Sequence, residues 1–234
     1  MSGLGRLILI PTPIDEESQL EQSAFELLEQ AAASEHAVIV VEELKVCRRR
    51  WLKWGLPRSV VDSMVTLNEH TTKQVTEELL VKCQQGDDLY LMSDGGLPAF
   101  CDPGQQLVSR CHDRGVAVTA TYFPNSVILA LALSGFDHRR FIFEGFLPRT
   151  SDQRQLAVKQ VVRNRMTTIL MDTPYRMERL LKELAEVMQK EGINRRVFLA
   201  MDLNSSTEEL QRGYPAKVMK RIKSFKREFV LVVE

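Results

Sequence analysis

The chain has 234 residues, of which 44% are apolar and 26% are charged, and its 31 Lys and Arg residues balance its 31 Asp and Glu residues. This composition is typical of a globular protein and excludes fibrous, collagen-like and disordered classes. Apolar runs such as 127–133 are far shorter than the roughly 20 residues needed to cross a bilayer. The N-terminus also lacks the pattern of a signal peptide, so we expect a cytoplasmic protein with no membrane segment.

Short β-branched runs alternate with helical periods through the first half of the chain, beginning with a buried strand that ends at Pro11. The strands predicted in this half are 7–10, 37–41, 64–67, 89–92 and 116–121. The helices predicted between them are 20–31, 44–54, 75–83 and 103–114. Asp15 is expected to cap the first of these helices and Asp102 the last. The alternation predicts an α/β domain over residues 1–121.

The second half repeats this class of structure without repeating the sequence. Its predicted strands are 141–143, 167–171, 196–203 and 229–233. Its predicted helices are 126–133, 152–163, 177–188 and 216–222, and residues 204–215 are expected to be a polar connection. Thr173 and Pro174 are expected to cap and open the helix at 177–188. We therefore predict a second α/β domain over residues 122–234.

The cysteines and histidines show no spacing typical of a zinc site or of a disulfide framework. Cys83 and Cys111 fall on apolar helical positions, which predicts buried thiols. We therefore expect no metal. The net charge of zero excludes a broad basic field around the molecule, but a local basic face that binds nucleic acid is still compatible with it.

The segment between the fourth strand and its helix, residues 92–104, reads MSDGGLPAFCDPG. Ligands bind to α/β proteins at the carboxyl ends of strands. Gly95 and Gly96 allow close approach of the backbone, and Asp94 supplies a carboxylate that can hold a hydroxyl or an amine. The same residues could instead form only a tight turn before a capped helix, and generic chemistry does not decide between the two.

Two more segments carry a pattern: residues 10–14 read IPTPI and residues 143–148 read FEGFLP. Together with segment 92–104 they resemble, in order, three signatures of the tetrapyrrole methylase superfamily. The resemblance is closest to the ribosomal RNA small subunit methyltransferase I family, which are cytidine 2′-O-methyltransferases. It extends over nearly the whole chain, and several matches in order are more specific than any one of them.

The resemblance implies two α/β domains with a cofactor cleft between them, S-adenosylmethionine as the cofactor, a homodimer and possibly an RNA substrate. It implies that Asp94 and Leu97 contact the methionine and ribose parts of the cofactor. Backbone groups of Ser126 and Val127 would hold its polar atoms. The cofactor-binding residues expected on this basis are Pro11, Asp94, Gly95, Leu97, Asp102, Ser126, Val127, Leu170 and Ala200. The last two are apolar residues on buried strands, which by default are only core.

Some motifs depart from the family pattern. The family's motif Glu-Asp-Thr-Arg-x-Thr corresponds to EELKVC at residues 42–47. Lys45 stands where the family has arginine, and an ammonium cannot replace a guanidinium where planar recognition is needed. The bulky Phe123 and the charged Arg227 could reshape the cofactor pocket. Residues 171–176, MDTPYR, replace the family's Tyr-Glu-Ser/Ala-x-His-Arg, and the small C-terminal extension is absent. The resemblance therefore supports the cofactor class better than the substrate.

Two basic segments bear on the substrate, one at 48–54, RRRWLKW, and one at 217–227. Cations neutralise phosphates and aromatic rings stack on bases, so either segment could contact RNA. In the first segment and just before it, the residues expected to pack inward at helical spacing are Leu44, Cys47, Trp51 and Trp54. Arg49, Arg50 and Lys53 would then form a solvated face. For the segment at 217–227, the sequence does not decide between an RNA contact and a solvated face.

We therefore expect a methyltransferase that aligns a nucleophile with a methyl group and excludes water. Glu43 and Lys45 are the candidates for catalytic residues, although a charge pair after a strand is more often a surface pair. One alternative is a degenerate relative that binds cofactor or RNA without turnover. Another is a methylase of a small molecule such as a tetrapyrrole, although the Gly-Asp-Pro loop of that branch is absent.

Overall fold

The structure is a computed structural model that describes residues 3–69, 72–123 and 125–234. The chain divides into two compact units, Met1–Phe123 and Pro124–Glu234, and each is built around its own five-stranded sheet. The sequence placed the domain boundary after residue 121. Helices cover both faces of each sheet, which confirms the predicted α/β fold class.

The first unit has a fully parallel sheet. Its strands are β1 (Arg6–Ile10), β2 (Ala37–Val41), β3 (Val65–Thr66), β4 (Asp88–Met92) and β5 (Ala117–Ala120). They lie in the order β3-β2-β4-β1-β5. Because all five run in the same direction, their carboxyl ends share one edge, and β1, β4 and β2 are neighbours there. This edge is where a parallel sheet presents its loops to a ligand.

The helices of the first unit are α1 (Gln22–Ala32), α2 (Leu44–Lys53), α3 (Thr72–Gln84) and α4 (Gln105–Asp113), with a 3-10 helix at Arg58–Ser63. One sheet face packs against α1 and α2, where Trp51 is fully buried. The opposite face packs against α3 and α4, where Leu89 meets Leu107. Both faces of the sheet are therefore buried, which explains why its strands read as continuous apolar runs.

The first helix begins differently from the prediction. Glu21, rather than Asp15, is its N-cap, and the Glu21 carboxylate accepts a hydrogen bond from the Ala24 N–H at 3.0 Å. Asp15 instead accepts from the Ser18 N–H at 2.8 Å. The prediction for Asp15 is therefore wrong, because this carboxylate closes a turn before the helix and no group of the helix reaches it.

The second unit has a mixed sheet. Its strands are β6 (Phe141–Phe146), β7 (Thr167–Met171), β8 (Val197–Met201), β9 (Glu209–Gly213) and β10 (Phe229–Val233). The order is β6-β7-β10-β8-β9, with β6 parallel to β7 and with β10 antiparallel to both of its neighbours. One edge therefore holds the carboxyl ends of β6, β7 and β8 together with the amino end of β10.

The helices of the second unit are α5 (Ser126–Ser134), α6 (Ser151–Arg163), α7 (Met177–Glu191) and α8 (Pro215–Met219), with a 3-10 turn at Pro174–Arg176. Helix α5 covers one face of the sheet, and the other three helices cover the opposite face. The predicted apolar stripe of α7 is confirmed, since Met177, Leu180 and Leu184 are fully buried. No helix in the described ranges is both long and apolar enough to span a bilayer.

Two predictions for this unit are wrong. The polar connection at 204–215 contains β9, an edge strand that pairs antiparallel with β8. The sequence of β9 is ELQRG, which is polar because a strand at the edge of a sheet does not need a continuous apolar run. The predicted cap by Thr173 is also wrong. The Thr173 side chain makes no cap hydrogen bond, and the 3-10 turn Pro174–Arg176 separates it from α7, which begins at Met177.

A buried ion-pair network joins α6 and α7 to the end of β7. The side chains of Arg154 and Asp172 are fully buried, with Arg154 Nη2 at 2.9 Å from Asp172 Oδ2. Arg154 Nε also lies 2.7 Å from Glu183 Oε2. Removing one partner of such a pair leaves a buried charge without compensation, which costs far more than breaking a surface pair.

We expect Arg154→Ala to lower the free energy of unfolding by about 3–5 kcal/mol, because the buried Asp172 then keeps only the partly exposed Arg176 as a cationic partner. Urea unfolding followed by circular dichroism measures this difference. Arg163→Ala is the matched control, since Arg163 pairs with Glu191 at the surface and its loss should cost no more than about 1 kcal/mol. Equal losses in the two variants would contradict the expectation.

Candidate functional site

The loops after β1 and β4 are joined at the carboxyl edge of the first sheet. The backbones of Thr12 and Gly96 exchange two N–H to carbonyl hydrogen bonds, each 2.9 Å long. The Thr12 hydroxyl also donates to the Ser93 carbonyl oxygen at 3.2 Å. The IPTPI segment and the 92–104 segment therefore form one structural element.

The loop after β2 binds the same element through Asp94. The Glu43 N–H donates to the Asp94 carboxylate at 3.2 Å, and the Asp94 N–H donates to the Glu42 carboxylate at 3.3 Å. Asp94 is thus fixed at the centre of the three loops, with part of its carboxylate accessible to solvent.

A buried guanidinium lies beneath these loops. Arg50 is only 5% exposed, and its Nη1 donates to the Asp94 carbonyl oxygen at 2.6 Å. Its Nη2 donates to the carbonyl oxygens of Pro13 and Asp15. The guanidinium also lies over the Trp54 ring, 5.2 Å from the ring centroid. Arg50 therefore crosslinks the loops after β1 and β4.

The expectation that Arg50 belongs to a solvated face is wrong. Arg50 follows Cys47 by three residues and precedes Trp54 by four, so it lies on the buried side of α2 with them. This spacing is the signal that could have found it. Trp51 and Trp54 are buried as predicted, whereas Leu44, expected to pack inward, is 39% exposed.

A carboxylate cluster, formed by Glu42, Asp94 and Asp102, gives this edge its electrostatic character. Burial and then repulsion from Glu42 raise the pKa of Asp94 to about 6. Burial, followed by repulsion from Glu42 and Asp94, raises the pKa of Asp102 to about 7. Carboxylates that repel each other and lack solvent favour a cation or a hydrogen-bond donor as a ligand. Glu42 was missed in the sequence, although it follows β2 as Asp94 follows the neighbouring strand β4.

The backbone between Asp94 and α4 is tightly folded. Ala99 and Cys101 have φ angles of 63° and 67°, and Gly104 has a φ of 123°. The φ of Gly104 favours glycine, and a Cβ at this position would also lie 2.6 Å from Leu91 Cδ2. Gly104 and not Asp102 precedes α4, and the predicted cap is wrong because the loop continues for two more residues. Asp102 therefore remains with the carboxylate cluster. Backbone strain of this kind is often found at ligand sites.

The structure divides the expected cofactor-binding residues between the two units. Those on the loops at the edge of the first sheet are Pro11, Asp94, Gly95, Leu97 and Asp102. Those in the second unit are Ser126, Val127, Leu170 and Ala200. A Cβ on Gly95 would lie 3.3 Å from the Ile14 carbonyl oxygen, so this position favours glycine.

The residues expected from the second unit do not share one surface. The Val127 N–H donates to Asn125 Oδ1 at 2.9 Å, so the cap of α5 already uses this group. Leu170 and Ala200 are both 0% exposed and lie on opposite faces of the second sheet. Leu170 belongs to the core under α6 and α7, and Ala200 to the core under α5.

Glu43 and Lys45 lie at the start of α2, and both are exposed. The Glu43 carboxylate caps this helix by accepting from the Lys45 N–H at 3.3 Å. Arg227, in the second unit, pairs with Asp202 at 2.7 Å and with Glu209 at 2.6 Å. Its charge is therefore neutralised within its own unit.

Cys83 and Cys111 are buried, as predicted, and Cys47 is buried with them. Among the residues that the structure describes, no group of three or more His, Cys, Asp or Glu side chains is arranged to hold a metal ion.

Comparison with known proteins identifies the family of the chain. The model of the family described as Tetrapyrrole (Corrin/Porphyrin) Methylases matches residues 6–214. The chain belongs to this family. Membership confirms the predicted family and the prediction of an S-adenosylmethionine-dependent methyltransferase.

Three similar proteins have the same name. A ribosomal RNA small subunit methyltransferase I from Escherichia coli O157:H7 is 30% identical over 98% of this chain and 78% of its own length. The protein of that name from Thermotoga maritima is 29% identical over 96% of this chain and 94% of its own length. The one from Vibrio cholerae is 30% identical over 92% of this chain and 70% of its own length.

The raised pKa of Asp102 makes the stability of this methylase depend on pH. Between about pH 4, the ordinary pKa of an aspartate, and about pH 7, the folded protein keeps a proton that the unfolded chain releases. The contribution of Asp102 to the free energy of unfolding therefore falls as the pH rises through this window. Asp102→Asn removes the carboxylate and should stabilise the protein at about pH 8, by on the order of 1 kcal/mol because solvent screens the partly exposed loop.

Urea unfolding of wild type and Asp102→Asn at about pH 4 and about pH 8 measures this difference, which should vanish at the lower pH. Asp62→Asn, an exposed aspartate in the 3-10 helix Arg58–Ser63, is the control and should change stability little at either pH. A variant less stable than wild type at the higher pH would show that Asp102 contributes attraction rather than repulsion.

Proposed function

We propose that this protein binds S-adenosylmethionine at the carboxylate edge of its first sheet and transfers the methyl group to RNA. The acceptor that we propose is a ribose 2′-oxygen of small-subunit ribosomal RNA. The observation that carries the proposal is Asp94, held between three loops at the carboxyl edge of a parallel sheet with a pKa of about 6. The printed names of the relatives support the RNA class of the substrate.

The chemistry of the edge fits this cofactor. S-adenosylmethionine carries a sulfonium, an ammonium and ribose hydroxyls, all of which a carboxylate attracts or accepts a hydrogen bond from. Asp94 and Asp102 are the residues that would hold these groups, and the absence of a Cβ on Gly95 keeps the backbone open to close approach. When bound, the cofactor supplies a methyl group on a positively charged sulfur, which an oxygen nucleophile can attack.

The chain itself contributes positioning and a proton acceptor. Arg50 fixes the backbone of Asp94 and thereby aligns the cofactor site. Glu43 is our candidate for the group that takes the proton from the ribose hydroxyl, because its carboxylate is exposed and its N–H is bonded to Asp94. Lys45, two residues after Glu43, offers a cation that would stabilise the ribose oxygen as it loses the proton.

Other parts of the proposal rest on the family resemblance alone. They are the roles of Ser126, Val127, Leu170 and Ala200 in binding the cofactor, and the homodimer. A ribosomal RNA substrate would also place the activity in the cytoplasm.

Asp94→Ala removes the central carboxylate and should abolish measurable binding of S-adenosylmethionine. Calorimetric titration of the wild type should give saturable binding with a micromolar dissociation constant, about −8 kcal/mol. The affinity of the wild type should also fall below about pH 6, because protonation of Asp94 removes its charge. Asp62→Asn serves again as the control. Undiminished affinity in a folded Asp94→Ala variant would sink the assignment.

The acceptor is tested by methyl transfer. Labelled S-adenosylmethionine is incubated with the protein and small ribosomal subunits from a bacterium whose own relative has been deleted. Nuclease digestion and mass spectrometry should then locate the label on a ribose oxygen. Cofactor binding without transfer to any acceptor would support the degenerate relative. Transfer to a tetrapyrrole but not to RNA would support a small-molecule methylase.

A further inference from the structure

An exposed aromatic ring lies at the edge of the second sheet where β7 ends. Tyr175 is in the 3-10 turn Pro174–Arg176, and it is 80% exposed, more than any other large hydrophobic side chain in the described part of the chain. Phe146, which ends the neighbouring strand β6 opposite Met171, is also exposed. The edge therefore presents aromatic surface that the fold of this unit does not bury.

The turn that carries Tyr175 is fixed from below by buried charge. The Asp172 carboxylate accepts from the Thr173 N–H at 2.9 Å and from Arg176 Nη1 at 3.1 Å. The same carboxylate pairs with the buried Arg154, and the Arg176 N–H donates to the Thr173 carbonyl oxygen at 2.9 Å. A buried ion pair is seldom a net gain in stability over apolar packing. Here the network defines the geometry of a turn whose exposed member is Tyr175.

A lysine lies beside the ring. Lys226 Nζ lies 5.7 Å from the centroid of the Tyr175 ring. Within the described residues, no ion pair joins Lys226 to a carboxylate. The next residue, Arg227, differs because Asp202 and Glu209 neutralise it. Arg176, the residue after Tyr175, pairs with Asp172 at 3.1 Å and its side chain remains 26% exposed. An aromatic face thus lies beside an ammonium that has no carboxylate partner among the described residues.

We propose that Tyr175, Lys226 and Arg176 bind an unpaired nucleotide of the RNA substrate. The base stacks on the Tyr175 ring, and the adjoining phosphate pairs with the ammonium of Lys226 and the guanidinium of Arg176. Single-stranded RNA is recognised by this combination of stacking and phosphate contact. This inference rests on the proposed function, since it names residues that contact the RNA acceptor.

The test uses the full chain and a fluorescently labelled, unstructured RNA oligonucleotide. Tyr175→Ala should weaken RNA binding about 5- to 100-fold, as loss of one stacked base does. Tyr175→Phe keeps the ring and should bind within about twofold of wild type. Lys226→Gln should weaken binding and reduce the slope of log affinity against log salt by about one. Lys190→Gln, an exposed lysine at the end of α7, is the matched control for charge.

Titration with S-adenosylmethionine separates the two hypotheses. The inference predicts that Tyr175→Ala raises the KM for RNA in the methyl-transfer assay and leaves cofactor affinity unchanged. If wild type methylates RNA and Tyr175→Ala does so with the same KM, the inference is overturned and the proposed function stands. If wild type neither binds nor methylates RNA, both are overturned. An equal loss of RNA and cofactor binding in Tyr175→Ala, or an altered oligomeric state, would assign Tyr175 a structural role.

Discussion

The site in the first unit depends on the hydrogen bonds of one buried guanidinium. Arg50 donates to the backbone carbonyl oxygens of Asp94, Pro13 and Asp15, which belong to two separate loops. It also attracts the Asp94 carboxylate and so opposes part of the rise in its pKa. Without Arg50, the carboxylates on these loops would still repel each other. The loops would also lose the hydrogen-bond donors that connect them. Arg50 therefore holds together the loops after β1 and β4, and the second of these carries Asp94 and Asp102.

The two sheets differ in what they present at their edges. The first sheet is fully parallel, so loops after β1, β2 and β4 converge and their acidic residues accumulate in one place. In the second sheet, β10 runs antiparallel between β7 and β8. The segment before β10 therefore lies at the same edge as the segments that follow β7 and β8. Lys226, just before β10, reaches Tyr175, just after β7, for this reason. Strand direction thus decides which side chains become neighbours at each edge.

Much of the secondary structure could be predicted because local patterns determine it. The ends of β2, β7 and β10 agree with the sequence, since each is an apolar β-branched run bounded by residues of a different kind. Strand β9 was not predicted because its polar sequence resembles that of a loop. It is a strand because it pairs with β8.

The candidate site was harder to predict because its geometry comes from contacts between distant loops. Asp94 and Gly95 stood out by their place after a strand, but Glu42 joins them only through the pairing of β2 with β4. Asp102 followed by proline is a good local signal for a helix cap, yet Cys101 and Gly104 have positive φ angles and the helix begins only after Gly104. Arg50 was assigned to solvent by its charge, although its helical position is that of a buried residue.

The carboxylate cluster also links ligand binding to proton release. Near pH 6 to 7, Asp94 and Asp102 are each only partly ionised in the folded protein. A cation that settles beside them favours their charged forms, so protons leave as the cation arrives. The heat observed in a titration then includes the heat of protonating the buffer. Titrations in two buffers with different enthalpies of ionisation would count the protons released, and the count would report on these two carboxyl groups directly.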